Sequence, residues 1–291
     1  MTLRLYLGAL VALYGSCATA PLVPPCSIAQ PNLPLSRDIV ESSGLALSRR
    51  TPGVLWTHND SGHEPYLFAV DPAGATLGRV LVTGATLIDW EDMASGPCDA
   101  GNCLFVGDIG DNSGRRDSIS IYVVPEPAPT DSATVPATVL NVRYPDHPRD
   151  AEAMFVLPNG DLYLVTKGRR DSVALFRLSK AAQQPATLTT VERVRPLWPR
   201  PRDSDDRVTG ASASPDGRRI AIRTYRTLFV FATADLLGQG LPLETLDARP
   251  IHQRVGESVA LDDSGTMWLS SEGSGTRPPE LARIACALPG Q

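Results

Sequence analysis

Residues 152–166 read EAMFVLPNGDLYLVT, and this stretch decides the fold. A short apolar segment, a Pro-Asn-Gly turn and a second apolar segment follow one another, which is the pattern of a β-hairpin, because Gly supplies the positive φ that tight turns need. The same order occurs four more times. The five openings are Ser43-Gly44-Leu45-Ala46, Glu91-Asp92-Met93-Ala94, Glu152-Ala153-Met154-Phe155, Thr209-Gly210-Ala211-Ser212 and Glu257-Ser258-Val259-Ala260, which are 48, 61, 57 and 48 residues apart.

Each repeat continues with a second and a third apolar segment. Second strands are predicted at Val54–His58, Leu104–Asp108, Leu162–Thr166, Ile220–Thr224 and Met267–Ser271, and third strands at Tyr66–Val70, Ile119–Val124, Val173–Leu178, Leu228–Ala232 and Leu281–Ala285. A four-stranded unit of roughly 50 residues cannot bury both faces alone, so neighbouring units must stack. Radial stacking predicts an all-β fold, a β-propeller of five four-stranded blades.

The two ends of the chain predict how the ring closes. The last repeat runs out after its third strand at Cys286, while Cys26–Leu33 precede the first repeat and have no blade of their own. We expect this N-terminal segment to supply the outer strand of the fifth blade, with a Cys26–Cys286 disulfide closing the ring.

Cys98 and Cys103 flank a tight turn that a local disulfide would clip. Four cysteines in an oxidising compartment allow three pairings, and the spacing favours these two bonds. The rival interpretation is a zinc site, but a second close Cys or His pair is missing from the sequence.

The first residues indicate export. Residues 1–20 contain Arg4 followed by the apolar run LYLGALVALY, which fits a signal segment and is too short to span a bilayer. The sequence is compatible with two processing routes, cleavage after Ala20 and lipid attachment at Cys17. The predicted organisation is a signal (1–20), a closing segment (21–36) and a propeller (37–291), in a secreted or periplasmic protein that is membrane-anchored if Cys17 carries lipid.

Composition excludes several function classes. The formal net charge is −5 and only two of the basic residues are lysine, so the chain has no basic footprint for nucleic acid. The sequence contains no Gly-x-Ser-x-Gly elbow and no phosphate-binding or dinucleotide glycine motif. We expect a monomer whose ligand, a small molecule or a protein, is not specified, and which meets a membrane only through a lipid anchor.

In an antiparallel blade, the start of the first strand and the end of the second lie on the same face of the disc. We call the funnel at this face, around the axis, the mouth. Glu91, Glu152 and Glu257 are expected to converge there from three blades, in a cavity that is the main concave site of the protein. The predicted ligand-binding residues are His58, Asp60, Glu91, Asp92, Asp108, Glu152, Lys167, Arg223, Glu257 and Glu272.

Four short sequence motifs resemble those of a known group of proteins: HNDSG (58–62), DWEDMA (89–94), GDIGDN (107–112) and DAEAM (150–154). They resemble elements of uncharacterised exported bacterial propeller proteins, loosely similar to the phytase-like esterase and NHL-type groups, over Ile39 to Ala285. Related propellers that hydrolyse lactones or phosphoesters hold a metal, usually calcium, at the tunnel mouth. The resemblance therefore implies Glu91, Glu152 and Glu257 as candidate metal ligands. It departs from a full carboxylate ring at Ser43 and Thr209.

Each site interpretation has a plain alternative. Crowded glutamates are neutralised by a cation or by basic partners such as Lys167 and Arg223. The segment 108–112 resembles part of a calcium loop, but an Asx turn explains it equally well. His58 is more typical of a residue that orients a neighbour than of a zinc ligand, and Trp56 and Trp90 are expected to pack between blades.

The predicted function is binding of a ligand or partner at the mouth, with no catalysis evident. The alternative is a calcium-dependent hydrolase of phosphoesters or lactones. A glycosidase using Glu91 and Glu152 as acid and base is less favoured, because aromatic residues are few. No cofactor is assigned, and calcium is the candidate.

Overall fold

The computed structural model describes residues 26–274 and 276–288, and their strands form five sheets around one axis. The first strand is β1 (Cys26–Pro34). Blade 1 has β2 (Ser42–Leu47), β3 (Leu55–Asn59), β4 (Tyr66–Val70) and β5 (Thr76–Leu81). Blade 2 has β6 (Trp90–Cys98), β7 (Gly101–Asp108), β8 (Ile119–Pro125) and β9 (Thr138–Arg143).

The remaining blades follow the same plan. Blade 3 has β10 (Ala151–Val156), β11 (Leu162–Thr166) and β12 (Val173–Leu178); then come β13 (Leu188–Thr190) and the outer strand of blade 3, β14 (Glu192–Trp198). Blade 4 has β15 (Val208–Ala213), β16 (Arg219–Thr224), β17 (Thr227–Ala232) and β18 (Glu244–Asp247). Blade 5 has β19 (Gly256–Leu261), β20 (Thr266–Ser271) and β21 (Glu280–Cys286). Helix is limited to α1 (Thr233–Leu237) and 3-10 turns at Lys180–Ala182, Ser204–Asp206 and Arg249–Ile251 among the described residues.

The prediction of five antiparallel blades is confirmed. The inner strands β2, β6, β10, β15 and β19 contact one another in that order, and β19 contacts β2, so the ring is closed. The predicted second and third strands agree with the observed ones to within one residue at each end, except that β7 begins three residues earlier, at Gly101. Within the described part of the chain, no helix is long and apolar enough to cross a membrane.

The N-terminal segment closes the ring as predicted. The order of strands in blade 5 is β1-β21-β20-β19, so β1 is the outer strand of the last blade. Cys26 lies opposite Cys286 in this pairing, and the two form a disulfide across a sequence separation of 260 residues. Cys98 and Cys103 form the second disulfide. Two disulfides indicate a non-cytosolic, oxidising location.

Blade 2 differs from the four-stranded expectation, because β13 adds a fifth strand to it. β13 pairs in parallel with β9, although it belongs to the connection between β12 and β14 of blade 3. An outer strand leaves one row of backbone groups unpaired, and a covering strand satisfies them. The connection from blade 3 therefore protects the edge of blade 2.

The hydrophobic core is divided among the interfaces between blades. Trp56, Trp90 and Met93 pack between blades 1 and 2, and Phe105 packs with Phe176 between blades 2 and 3. Three further clusters fill the other three interfaces. Trp56 and Trp90 have no exposed surface. The expectation that both tryptophans pack between blades is confirmed.

Candidate functional site

Every inner strand carries a β-bulge at its mouth end. In each blade one extra residue is inserted between the first paired residues of the inner strand and those of its neighbour, for example between Trp90 and Asp92 opposite Asp108 and Gly107. A bulge locally disrupts the ladder and re-aims a side chain. The residues in the bulges include Ser43, Glu91, Glu152, Thr209 and Glu257.

Glu91 and Glu152 come together at the mouth. One carboxylate oxygen from each, with one from Asp150, can be chosen so that all three lie within 4.8 Å of one another. Lys167, directly after β11, forms an ion pair with Glu152, with 2.5 Å between Nζ and Oε1. Burial and the neighbouring carboxylates of Glu152 and Asp60 raise the pKa of Glu91 well above its ordinary value.

Lys167 is held as a cation. Burial opposes its charge, but the carboxylates of Glu152 and Glu91 outweigh that penalty and raise the pKa of Lys167. Burial raises the pKa of Glu152 to about 7, and the ammonium of Lys167 works in the opposite direction. The pair is therefore a buried ion pair beside a second, unneutralised carboxyl group, that of Glu91.

A second carboxylate group overlaps the first. Oxygens of Asp60, Asp89 and Glu91 also lie within 4.8 Å of one another, so Glu91 belongs to both groups. Burial, then the charges of Asp60 and Asp150, raises the pKa of Asp89 to about 6. Gly110 makes the approach feasible, because a Cβ at this position would collide with carboxylate oxygens of both Glu91 and Asp89.

Asp89 and Asp150 were not among the predicted ligand-binding residues. Both immediately precede the first strand of their blades, and the start of that strand was expected to place Asp150 near the mouth. The signal was present in the strings DWED and DAEAM, where an acidic residue stands two positions before the glutamate of the bulge. In each string the two carboxylates belong to one group at the mouth.

Glu257 lies apart from both groups. It is 4% exposed and belongs to neither carboxylate group. Burial, then Glu272 and Glu152, raises the pKa of Glu257 well above its ordinary value. Burial also raises the pKa of Glu272 to about 7. The structure therefore brings two of the three glutamates into contact distance and leaves Glu257 on the side of blades 4 and 5.

Asp92 points into the axis below the mouth. Its Oδ1 accepts from the backbone N–H of Met93 at 2.8 Å, and its Oδ2 accepts from Met154 at 2.8 Å and Ala211 at 3.1 Å. Leu45 of blade 1 adds a fourth backbone donor. Burial nevertheless raises the pKa of Asp92 well above its ordinary value. The carboxyl group links four blades and is closed to a ligand.

His58 is packed under the mouth. Its ring has no exposed surface, its Nδ1 lies 3.0 Å from the carbonyl oxygen of Asn59, and its ring centroid lies 5.4 Å from that of Trp90. Burial lowers the pKa of His58 to about 4, so the ring is neutral at pH 7. Gly44 leaves room for the ring, since a Cβ there would collide with Nε2.

Asp108 and the segment after it build a loop. Asp108 binds Arg116 at 2.7 Å and accepts from the backbone N–H groups of Ile88 and Asp89. Asp111 accepts from Ser113 and from the backbone of residues 115 and 116. These contacts are those of an Asx-type turn, which was one of the two interpretations of this segment.

Arg223 does not reach the carboxylate groups. Its Nη1 donates to the carbonyl oxygens of Ser258 and Ser270 at 2.8 Å, and its Nη2 donates to Gln253 at 2.7 Å. Burial lowers the pKa of Arg223 to about 10, and Glu257 acts against that shift. The guanidinium therefore ties β16 to blade 5 through backbone oxygens.

Two clefts lie beside the mouth on the same face. One, of about 570 Å³, is lined by residues that include Arg37, Glu41 and Gly273. The other, of about 390 Å³, is lined by residues that include Tyr225 and Arg254. Neither is lined by Glu91, Glu152 or Glu257, so these clefts do not support the expectation that the three glutamates line the main concave site.

Comparisons with known proteins add to the fold only. No family model matches the chain, and no curated protein is significantly similar to it. Among solved structures it is similar to the PQQ-bound aldose sugar dehydrogenase of Streptomyces coelicolor, with 11% identity, 89% of this chain and 97% of that chain covered, and a TM-score of 0.48. It is also similar to a gluconolactonase from Xanthomonas campestris (15%, 94% and 90%, TM-score 0.48) and to a streptogramin B lyase (9%, 90% and 98%, TM-score 0.42). Likenesses this distant carry no statement about activity.

Proposed function

We propose that this protein is an exported β-propeller that binds a ligand at its mouth through a divalent cation, with Ca²⁺ as the expected ion. The observation that carries the proposal is the pair of overlapping carboxylate groups, Asp60-Asp89-Glu91 and Glu91-Asp150-Glu152, each within 4.8 Å. Carboxylates this close repel one another unless a positive charge neutralises them. Lys167 pairs with Glu152 and leaves the first group without an ammonium partner.

The donor set fits a hard cation. The candidate ligand atoms in both groups are carboxylate oxygens, and Ca²⁺ prefers oxygen ligands, mixing protein and solvent oxygens in a flexible geometry. Gly110 supports the same interpretation, because its missing side chain lets the carboxylates of Asp89 and Glu91 face one point. Asp60, Asp89 and Glu91 would hold the ion, while Glu152 remains paired with Lys167 and Asp150 with Arg169.

Export is part of the proposal. The two disulfides support an oxidising location. The signal segment 1–20 and the lipid site Cys17 lie outside the described residues, and they are proposed from the sequence. Fatty-acid labelling of wild type and Cys17→Ala distinguishes the two routes of export. If Cys17 carries lipid, wild type is labelled and Cys17→Ala is not; if the signal is cleaved after Ala20, neither protein is labelled.

The test is metal content and calorimetry of the purified protein. We expect about one equivalent of Ca²⁺ after dialysis, and calorimetric binding after chelation. Glu91→Gln and Asp89→Asn should weaken binding at least tenfold. Glu244→Gln is the matched control, because it removes the same charge from β18 at the edge of blade 4. Wild type that binds no Ca²⁺, or variants that bind like the control, would contradict the proposal.

A second candidate is the calcium-dependent hydrolysis of a phosphoester or lactone. The observation that favours it is the ammonium of Lys167, held beside the carboxylate groups by Glu152. A fixed positive charge next to a cation site is suited to stabilise an oxygen that becomes negative during ester cleavage. Turnover of bis(p-nitrophenyl) phosphate or gluconolactone by the Ca²⁺-loaded protein, lost in Lys167→Met, would favour it. Ca²⁺ binding without turnover supports the binding function.

A further inference from the structure

In two inner-strand bulges, the backbone carbonyl oxygen of the bulged residue accepts a hydrogen bond from a hydroxyl group of the neighbouring blade. A residue in a bulge is left out of the ladder, so its carbonyl oxygen needs another donor when it is buried. Ser43 Oγ donates to the carbonyl oxygen of Glu91 at 2.7 Å. Thr209 Oγ1 donates to that of Glu257 at 2.6 Å.

The two contacts are equivalent in the repeat. Each hydroxyl stands in the bulge of its own inner strand, and each donates to the glutamate in the bulge of the next blade, 48 residues further along the chain. Ser43 is 2% exposed and Thr209 is 1% exposed, so water does not replace them. The positions at which the carboxylate ring is interrupted are therefore occupied by hydrogen-bond donors to the neighbouring glutamate.

We propose that Ser43 and Thr209 are positioning residues that orient the mouth glutamates of the next blade, Ser43 acting on Glu91 and Thr209 on Glu257. Holding the carbonyl oxygen fixes the peptide plane after the bulged residue, and with it the direction of that residue's side chain. Glu152 follows a glutamate rather than a hydroxyl residue in the ring, and its side chain is held directly by Lys167. Each of the three glutamates is thus held by one residue: Glu91 by Ser43, Glu257 by Thr209 and Glu152 by Lys167.

The readout for Ser43 rests on the proposed function, because it measures cation binding by Glu91. Tb³⁺ is the probe, since it occupies Ca²⁺ sites and its luminescence is excited by a nearby tryptophan, here Trp90. Ser43→Ala should weaken Tb³⁺ binding about tenfold, the size expected when one buried hydrogen bond is lost. Ser43→Thr keeps the hydroxyl and should restore binding to within threefold of wild type.

Ser42→Ala is the matched control. Ser42 is adjacent and equally buried, but its hydroxyl contacts Thr57 and Ser270 instead of a mouth glutamate. It should bind Tb³⁺ within threefold of wild type, whatever its melting temperature. If Ser43→Ala binds like wild type, or if both alanine variants lose affinity equally, the hydroxyl has only a structural role and the proposal fails.

Crystal structures of the metal-free variants give a second readout that does not depend on the cation. The Glu91 carboxylate should move by more than about 1 Å in Ser43→Ala, and the Glu257 carboxylate should move similarly in Thr209→Val. Neither should move in Ser42→Ala. Unmoved glutamates overturn the proposal. Wild type that binds no Tb³⁺ overturns the cation site alone, and the coordinates still decide whether the hydroxyl groups orient the glutamates.

Discussion

Glu91 and Asp92 are neighbours in the chain, yet they belong to two regions with opposite chemistry. Glu91 stands in the bulge of β6 at the mouth, among carboxylates of Asp60, Asp89, Asp150 and Glu152. Asp92 points into the axis, where backbone N–H groups of four blades surround it. Both are buried, and burial raises the pKa of both.

The difference lies in what surrounds each carboxyl group. Backbone N–H groups donate to both carboxyl oxygens of Asp92. Removing this carboxyl group therefore leaves N–H groups of several blades without an acceptor. Glu91 stands mainly among other carboxyl groups, with Lys167 acting against their effect, so its environment is completed from outside the chain or by a proton. A buried carboxyl group bound by backbone donors therefore holds the propeller together, and one that stands among other carboxyl groups is available for binding.

The largest effect is expected at the axis. Asp92→Ala leaves up to four buried N–H groups without an acceptor, and we expect a loss of about 3–5 kcal/mol in the free energy of unfolding. Glu91→Gln should change it by less than about 1 kcal/mol, since it removes repulsion. Chemical denaturation of both variants is the measurement. Equal losses would show that the two carboxyl groups do not differ in this way.

His58 tests the axial region by pH. The unfolded chain takes up a proton on this histidine near pH 6.5, but the folded protein does so only near pH 4. Its contribution to stability is therefore complete above about pH 6.5 and is lost as the pH falls to 4, by roughly 3 kcal/mol in total. His58→Gln should flatten the pH dependence in that window. An unchanged slope would mean that the ring is not buried in its neutral form.

Glu272 tests the mouth by pH, with the opposite sign. Its pKa is about 7 in the folded protein against 4.5 in the unfolded chain, so its contribution is present below pH 4.5 and is lost as the pH rises to 7. Because the side chain is partly exposed, we expect metal-free Glu272→Gln to gain only about 1 kcal/mol at pH 8. Melting curves at pH 4.5 and pH 8 measure it. A gain of equal size at both pH values would contradict the assignment to the charge.

Substitution of Gly110 is expected to have the smallest effect on stability and a specific effect on cation binding at the mouth. An added methyl group would press on carboxylate oxygens of Glu91 and Asp89. We expect Gly110→Ala to weaken Ca²⁺ binding about tenfold while the free energy of unfolding falls by no more than about 1 kcal/mol. Calorimetry and denaturation on the same sample separate the two. A large loss of stability with normal affinity would place the strain in the loop instead.

Much of the architecture was predictable because the signals are local. The Pro-Asn-Gly turn and its counterparts mark the hairpins, and the unpaired segment at Cys26 together with the last strand at Cys286 indicates the closure. β13 was not predictable, since its pairing with β9 joins the outer connection of one blade to the edge of another. Nothing within residues 188–190 marks that partner.

The mouth was predictable as a location, and less so in its roles. From the sequence, Glu91 and Asp92 were placed at one site because both begin the inner strand, although successive side chains of a strand point to opposite faces. The donors to Asp92 come from Leu45, Met154 and Ala211 on three other blades, which no local pattern reveals. Arg223 was expected beside carboxylates, but the carbonyl oxygens that bind it appear only when blades 4 and 5 meet.

The pairing of Cys26 with Cys286 also fixes the end of blade 5 at which the described fold begins. β1 runs antiparallel to β21, so Cys26 lies at the end of blade 5 opposite to Glu257. A lipid, a surface or an affinity tag joined through residues before Cys26 is thereby attached to the rear of the disc. The mouth lies at the opposite end of the blades from this point of attachment.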